Sequence, residues 1–199
     1  VGVEHEKFLF NKKDLKRIGY SEIKKLFEIL TVRGWELQFE KDKLIGLKRN
    51  NQKITTEPGF QYELSGAPLK NIHFVCSENN SHFNELRETF ETAKIVTSSI
   101  AFDPFNKLKD IPRSPKERYK IMTNEMPKSG KLSLDMMYKT AGIQINYDYT
   151  SEEDFEKKFK IGNYLTPLAI ALFANSPFVE NKLSGFLSYR AKVWQETNR

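Results

Sequence analysis

The sequence has very little cysteine, no long apolar run and no glycine-rich phosphate loop. A single cysteine in 199 residues, Cys76, excludes a disulfide within the chain and fits a reducing compartment. No apolar run approaches the ~20 residues of a membrane-spanning helix, and no signal peptide is visible. Neither the P-loop nor the dinucleotide-binding glycine signature occurs. A bound nucleotide would therefore have to be held by metal ions and scattered basic side chains.

Composition is that of a folded chain with a modest positive charge. Hydrophobic residues make up 39% of it, including 15 Phe and 8 Tyr, which is enough for a core of one domain. The net charge of +6 allows anionic partners. The basic residues are spread along the chain and are not clustered with aromatic residues, so nucleic-acid binding is only a minor alternative. A helical pattern reaches Trp194 near the last residue, and we expect the chain to be a fragment.

The periodicity predicts a mixed order of strands and helices. Alternation of period two predicts strands at 1–10, on either side of Lys41-Asp42, at 53–57, 61–65, 98–105 and 142–149. Apolar spacing predicts helices over about 20–33 with Ser21 as N-cap, over 70–97, from near Pro115, and from Ser151 through Phe173. This order favours an α+β fold with an antiparallel sheet. Glu4, Glu6, Glu63 and Gln144 would share one face, and the helices would cover the other.

Acidic residues within strand patterns are the strongest chemical signal. Glu4 and Glu6 lie two residues apart in the first strand, so they point to the same face. Glu57 and Glu63 flank Pro58-Gly59 in a second acidic segment. Carboxylates on one sheet face repel one another unless a cation lies between them. Oxygen-rich acid sets suit Mg²⁺ or Mn²⁺, although an exposed strand also carries such pairs without any metal.

A scattered basic set is the second signal. Arginine and lysine hold anions, and arginine does so with a bidentate fork. For each of these residues taken singly, ordinary surface charge is the alternative. The set comprises Arg113, Lys116, Arg118, Lys128 and Arg190.

Six segments in unbroken order resemble glutamate–cysteine ligases of the plant and proteobacterial type. They are GVEHEKF, EPGxQxELSGAPL, KDIPRSPKERYKIM, MPKSGKLSLDMM, ANSPF and GFLSYRAKVW, running from residue 2 to the end. The resemblance implies a curved, mainly antiparallel sheet of the glutamine synthetase type with helices outside. It also implies that residues 1–199 are the N-terminal part of one catalytic domain whose C-terminal part is absent.

The resemblance implies a reaction and a set of roles. ATP phosphorylates the γ-carboxylate of glutamate, cysteine attacks the γ-glutamyl phosphate, and Mg²⁺ or Mn²⁺ neutralises the phosphates. The expected metal ligands are Glu4, Glu6, Glu57 and Glu63. The expected catalytic residues are basic side chains that hold substrate carboxylate or phosphate oxygens, namely Arg118, Arg190 and Lys128. The expected substrate or ATP contacts are Gln61, Gln144, Asn146 and Arg113. At Phe60, where plant-type sequences usually have a second Gly, the ring would narrow the pocket beside Glu57 or simply pack.

Three readings of the chain remain open at this point. It belongs to a glutamate–cysteine ligase, to a sister ligase with another amine acceptor, or to a truncated remnant that binds nucleotide or metal without turnover. We expect small-molecule partners (glutamate, cysteine and ATP), no nucleic acid or membrane partner, and a homo-oligomer as an option. The expected location is the cytoplasm, or the plastid if the source is a plant.

Overall fold

The computed structural model describes residues 1–197 as an α+β fold. No helix within this range is long and apolar enough to cross a membrane. The strands are β1 (Gly2–Asn11), β2 (Glu36–Glu40), β3 (Lys43–Arg49), β4 (Gln52–Thr56), β5 (Tyr62–Ser65), β6 (Ile95–Ser98), β7 (Ile143–Asn146), β8 (Phe178–Val179) and β9 (Lys182–Leu183). The helices are α1 (Tyr20–Leu30), α2 (Ile72–Ala93), α3 (Glu117–Glu125), α4 (Ser133–Lys139), α5 (Glu152–Leu172) and α6 (Tyr189–Gln195).

Seven strands form one antiparallel sheet, which confirms the predicted fold class. Its order is β2-β3-β4-β5-β1-β6, and β7 pairs with β1 beside β6. Two strands therefore pair with the same edge of the long β1: β7 pairs with its residues 2–5, and β6 pairs with its residues 8–11. Strands β8 and β9 form a separate two-stranded sheet.

One face of the sheet is covered by α1 and α2, as the alternation predicts. The apolar stripe of α1, namely Ile23, Leu26, Phe27 and Leu30, is buried against sheet residues that include Leu9 and Tyr62. Leu86 and Phe90 of α2 join the same core. We call this the outer face and the opposite one the inner face. Because neighbouring residues of a strand point to opposite faces, Glu4 and Glu6 are left on the inner face.

Three local predictions were wrong. Helix α2 ends at Ala93, because Lys94, its cap, takes the left-handed conformation (φ 55°), and Ile95–Ser98 then form β6. The strand predicted at 98–105 therefore lies earlier in the chain. Helix α1 is capped by Gly19 rather than Ser21, since Glu22 Oε2 accepts from the Gly19 N–H at 3.1 Å. Helix α4 was not predicted.

A buried ion pair joins segments that are remote in sequence. Arg17 donates to Asp103 Oδ2 at 3.2 Å, and both side chains are fully buried. The guanidinium also donates to the carbonyls of Gly59 and Tyr138 and lies 4.6 Å from the centre of the Phe8 ring. Burial lowers the pKa of Arg17 to about 10, against the opposing effect of Asp103, so the guanidinium is charged at neutral pH.

We expect Asp103→Asn to destabilise the protein by about 3–5 kcal/mol, because Arg17 would remain buried without its counter-charge. The amide keeps an oxygen for the Phe105 and Asn106 N–H groups, but its NH2 group replaces the Oδ2 that accepts from Arg17, so both the counter-charge and this acceptor are lost. Urea unfolding measures the effect. Glu88→Gln is the control, because Glu88 pairs with Arg33 at the surface and should change stability by less than ~1 kcal/mol. Equal losses in the two variants would contradict this role of the buried pair.

Candidate active site

The strand register brings the predicted acids to the inner face. Glu6 lies directly opposite Glu63 of β5, and Glu4 lies opposite Gln144 of β7. Directly paired residues of antiparallel strands point to the same side of a sheet. Glu4, Glu6 and Glu57 line one cavity of about 250 Å³, and Gln61, Gln144 and Arg190 also line it. We call this space the acid cavity.

Glu6 is held firmly at the cavity wall. Its Oε2 accepts from the Gly142 N–H at 2.7 Å, and its own N–H donates to the Gly142 carbonyl at 2.9 Å. Burial raises the pKa of Glu6 to about 7; the Gly142 hydrogen bond opposes this, and the charges of Glu57 and Glu63 add to it. Near neutral pH Glu6 therefore holds a proton about half of the time, in a cavity whose lining has three glutamates and one arginine.

Glu57 and Glu63 complete this acidic group. Glu57 accepts from the Tyr119 hydroxyl at 3.0 Å and lies 3.7 Å from Arg118 of α3. Burial raises the pKa of Glu57, and the charge of Glu63 adds to the rise. Glu63 accepts from the Ser65 hydroxyl at 2.8 Å and more weakly from Thr55 at 3.4 Å. These neutral donors orient the Glu63 carboxylate without cancelling its charge.

Arg190 is the one basic residue among the described residues that line the acid cavity. Helix α6 places it against the wall, where its guanidinium is near Gly142 and its charge acts on Glu6. Burial lowers the pKa of Arg190, and its Nε is buried without a hydrogen-bond partner among the described residues. An arginine with an unused buried donor in an acidic cavity is equipped to bind a substrate oxygen.

Gln61 fixes the turn that carries Glu57. Its Oε1 accepts from the Gly59 N–H at 2.8 Å, and its Nε2 donates to the carbonyls of Met137 and Thr140 at 3.0 and 2.8 Å. A Cβ at Gly59 would lie 2.6 Å from the Tyr138 carbonyl, so no side chain fits there. The Pro-Gly segment is thus tied to the end of α4, and Gln61 has its amide fully engaged.

The remaining predicted residues divide into two groups. Gln144 and Asn146 lie beside Glu4, and Asn146 donates to Glu4 Oε1 at 3.3 Å. By contrast, Lys128 is exposed and pairs with Glu125 at 2.7 Å, and the exposed Arg113 lies over the Tyr138 ring. The structure does not bring Lys128 or Arg113 to the lining of the acid cavity.

The donor set fits a hard divalent cation, although it is not preassembled. No group of three or more His, Cys, Asp or Glu within residues 1–197 has the geometry to hold a metal ion. The carboxylates of Glu4, Glu6 and Glu57 nevertheless face one cavity, and all their donors are oxygens of the kind that Mg²⁺ and Mn²⁺ take. Metal binding would require these side chains to shift inward.

Sequence reasoning missed two residues that hold Glu57 in place. The Tyr119 hydroxyl reaches both Glu57 and the Thr56 carbonyl. Lys116, recognised only as one of the basic set, is buried and donates to the Thr56 carbonyl at 2.8 Å. Both belong to the KERYKIM segment beside Arg118. A tyrosine adjacent to a predicted site arginine was the available signal.

Comparison with known proteins identifies the family of this chain. Residues 1–199 match the model of glutamate-cysteine ligase family 2. The chain belongs to this family. It is 46% identical to the chloroplastic glutamate–cysteine ligase of Brassica juncea and 47% to that of Arabidopsis thaliana, and all of the chain is covered in both cases. It is 46% identical to the chloroplastic glutamate–cysteine ligase A of Oryza sativa subsp. japonica. The chain spans only 39%, 38% and 40% of these three relatives.

Phe60 has a structural explanation within this family. It takes the left-handed conformation (φ 58°) and its N–H donates to the Glu57 carbonyl, which is a turn position that favours glycine. The ring is buried in the main core and lies 6.3 Å from Tyr20, centre to centre. Of the two roles expected for Phe60, the structure thus gives it packing.

We expect Phe60→Gly to lower stability by about 2–3 kcal/mol. Loss of a buried phenylalanine costs about 3–5 kcal/mol, whereas relief of the left-handed backbone returns only about 1–2 kcal/mol. Urea unfolding of Phe60→Gly and of the unchanged protein measures the net change in stability. Asn50→Gly is the matched control, because Asn50 has a similar φ of 51° but is exposed, and it should be neutral or slightly stabilising. A stabilised Phe60→Gly protein would show that backbone strain outweighs packing.

Proposed function

We propose that the acid cavity is part of the active site of an ATP-dependent ligase that joins glutamate to cysteine. The observation that carries the proposal is the meeting of Glu4, Glu6, Glu57 and Arg190 in one cavity of a chain that belongs to this family. The relatives' printed names specify the reaction for those proteins. Since the chain spans about two fifths of their length, the activity of the whole protein is part of the proposal. So is the finer fold assignment, a glutamine synthetase-like sheet within one catalytic domain.

The proposed reaction needs charge control more than a protein nucleophile. The γ-carboxylate of glutamate attacks the terminal phosphorus of ATP and ADP leaves; the amine of cysteine then displaces phosphate from the acyl phosphate. Glu4, Glu6, Glu57 and Glu63 would hold Mg²⁺ or Mn²⁺, which when bound neutralises phosphate oxygens. Arg190 would bind a carboxylate or phosphoryl oxygen at the cavity wall. Arg118, exposed beside Glu57, would reach phosphate at the rim.

Other predicted residues take more limited roles in this proposal. Gln144 and Asn146 would contact substrate from the strand that flanks Glu4, whereas Gln61 positions the Glu57 turn. Within residues 1–197, neither Lys128, expected to be catalytic, nor Arg113, expected to contact substrate or ATP, lines the acid cavity, so neither has a role in this proposal. A plastid location is proposed if the source is a plant, because the plant relatives are named chloroplastic. Cysteine as the acceptor rests on the relatives' names, and a sister acceptor would appear as a different preferred amine in the same assay.

We expect Glu6→Gln and Glu63→Gln each to lower turnover at least about tenfold, or about 1.4 kcal/mol of barrier. The amide keeps the shape of the side chain and removes its charge, so the loss reports electrostatics. The assay is ADP release with glutamate and cysteine in an extended ligase, namely this chain continued by the C-terminal part of the Arabidopsis relative that it does not cover. Higher Mg²⁺ should partly restore both variants. Glu36→Gln on the exposed strand β2 is the control. Wild-type turnover of both variants at low Mg²⁺ would refute the assignment.

We also expect the 199-residue chain alone to release ADP far more slowly than the extended ligase. Its acid cavity of about 250 Å³ is smaller than the ~300–1,000 Å³ typical of ligand sites, so it encloses only part of the reactants. The same assay, run on equal molar amounts of the two proteins, makes the comparison. Comparable rates would show that the described residues already form a whole active site.

A further inference from the structure

Three basic side chains meet beneath helix α2, on the face of the sheet opposite the acid cavity. His5 and Lys7 of β1 alternate with the inner-face acids, so they point to the outer face. Both contact Phe83 of α2: the Lys7 Nζ lies 4.9 Å from the centre of its ring, and the His5 ring meets it edge to face at 6.5 Å. His82, the preceding residue of α2, is close enough for the charges of Lys7 and His5 to act on it. We call His5, Lys7 and His82 the basic trio.

The nitrogen atoms of the basic trio lack partners. His5 Nε2, Lys7 Nζ and both ring nitrogens of His82 are buried and have no hydrogen-bond partner among residues 1–197. Lys7 is 7% exposed and His82 only 2%. Buried polar groups in folded proteins are nearly always hydrogen-bonded, and an orphaned one is costly. Orphaned nitrogens on three neighbouring side chains therefore point to a ligand that accepts hydrogen bonds.

No carboxylate among the described residues fills this role. The only one within 4.0 Å of the trio's nitrogens is Glu85, whose Oε2 lies 4.0 Å from His82 Nδ1, too far for a hydrogen bond. Glu85 already accepts from Arg49 and from the Trp35 indole, the latter at 3.3 Å. The charge of Glu85 is thus balanced by Arg49, and the ammonium of Lys7 is left without a counter-charge.

We propose that the basic trio binds a small monovalent inorganic anion of the halide type beneath α2. Burial lowers the pKa of His5 to about 4 and that of His82 to about 3, so at neutral pH both rings are uncharged and each has one N–H to donate. Lys7 then supplies one positive charge, which one negative charge balances. A dianion such as hydrogen phosphate would leave an excess of buried negative charge, which is costly.

The proposed site is separate from the substrate site. His5 and Lys7 also border an open space at the edge of β1 that continues to Glu6 and Arg190 of the acid cavity, so an ion has a path from solvent. His82 lines neither that space nor the acid cavity. An anion held by His82 together with Lys7 lies on the opposite side of the sheet from the acids.

Bromide is the probe, and thermal unfolding of the 199-residue chain is the first readout. Potassium bromide replaces potassium gluconate at constant ionic strength, because gluconate is too large to enter a site between these side chains. The midpoint should rise by about 3–6 °C when bromide reaches ten times its dissociation constant. Turnover is not measured, so failure of the proposed reaction would leave this test intact.

Matched variants assign the effect to the basic trio. Lys7→Gln and His82→Gln should each remove most of the rise that bromide causes. Lys12→Gln and His73→Gln are the controls, because Lys12 follows β1, His73 lies on α2, and both are exposed. The controls should keep the full rise.

Crystals of the unchanged chain grown in bromide provide a readout that needs no variant to fold. Anomalous scattering should place a bromide ion within about 3.5 Å of Lys7 Nζ and of a His82 ring nitrogen.

Four results would overturn the inference. Equal midpoints in bromide and gluconate would show that no halide binds the folded chain. A full rise in Lys7→Gln and His82→Gln would place the ion elsewhere. A bromide peak at Arg190 and none at Lys7 would assign anion binding to the acid cavity. A larger, Lys7-dependent rise with phosphate than with bromide would contradict the monovalent assignment.

Discussion

The acid cavity depends on a guanidinium that lies outside it. Arg17 contacts three segments: the Pro-Gly turn through the Gly59 carbonyl, the end of α4 through Tyr138, and the loop after β6 through Asp103. The first segment carries Glu57, and the second leads within four residues to Gly142, which binds Glu6. One buried charge with a fixed fork of donors therefore links the segment that carries Glu57 to the segment that holds Glu6. The attraction of Asp103 offsets the cost of burying it.

The face of the sheet that carries the acids could be predicted because alternation is a local property. Once residues 2–11 form a strand, Glu4 and Glu6 must share a face, and Lys7 must lie on the other. The short turn between β4 and β5 fixes the register that sets Glu63 opposite Thr55 and so decides the face on which Glu63 lies. The buried side of α1 could be predicted in the same way, because its apolar residues recur with the 3.6-residue period of a helix. These predictions needed no knowledge of contacts between distant segments.

Sequence patterns are least informative where a distant contact or a single backbone angle decides the local structure. The side chain of Gln61 is of a type that can bind a substrate. Its amide instead donates hydrogen bonds to the carbonyls of residues 76 and 79 positions further along the chain. Lys128 lies in the MPKSGKLSLDMM segment that resembles the family, yet an ion pair with Glu125, three residues earlier, holds it at the surface. The end of α2 depends on Lys94 adopting φ 55°, which lysine does rarely. Sequence periodicity carries no information on any of these.

The two faces of β1 present opposite and uncompensated charges. On the inner face, Glu6, Glu57 and Glu63 repel one another, and burial with this repulsion raises the pKa of Glu6 to about 7. On the outer face, burial lowers the pKa of Lys7 to about 8. Each shift means that the charged form is disfavoured, by about 1.4 kcal/mol for each pKa unit. A species that binds only the folded state and supplies the missing charge stabilises the fold by mass action. On this reasoning, a cation bound among Glu6, Glu57 and Glu63 would stabilise the folded state.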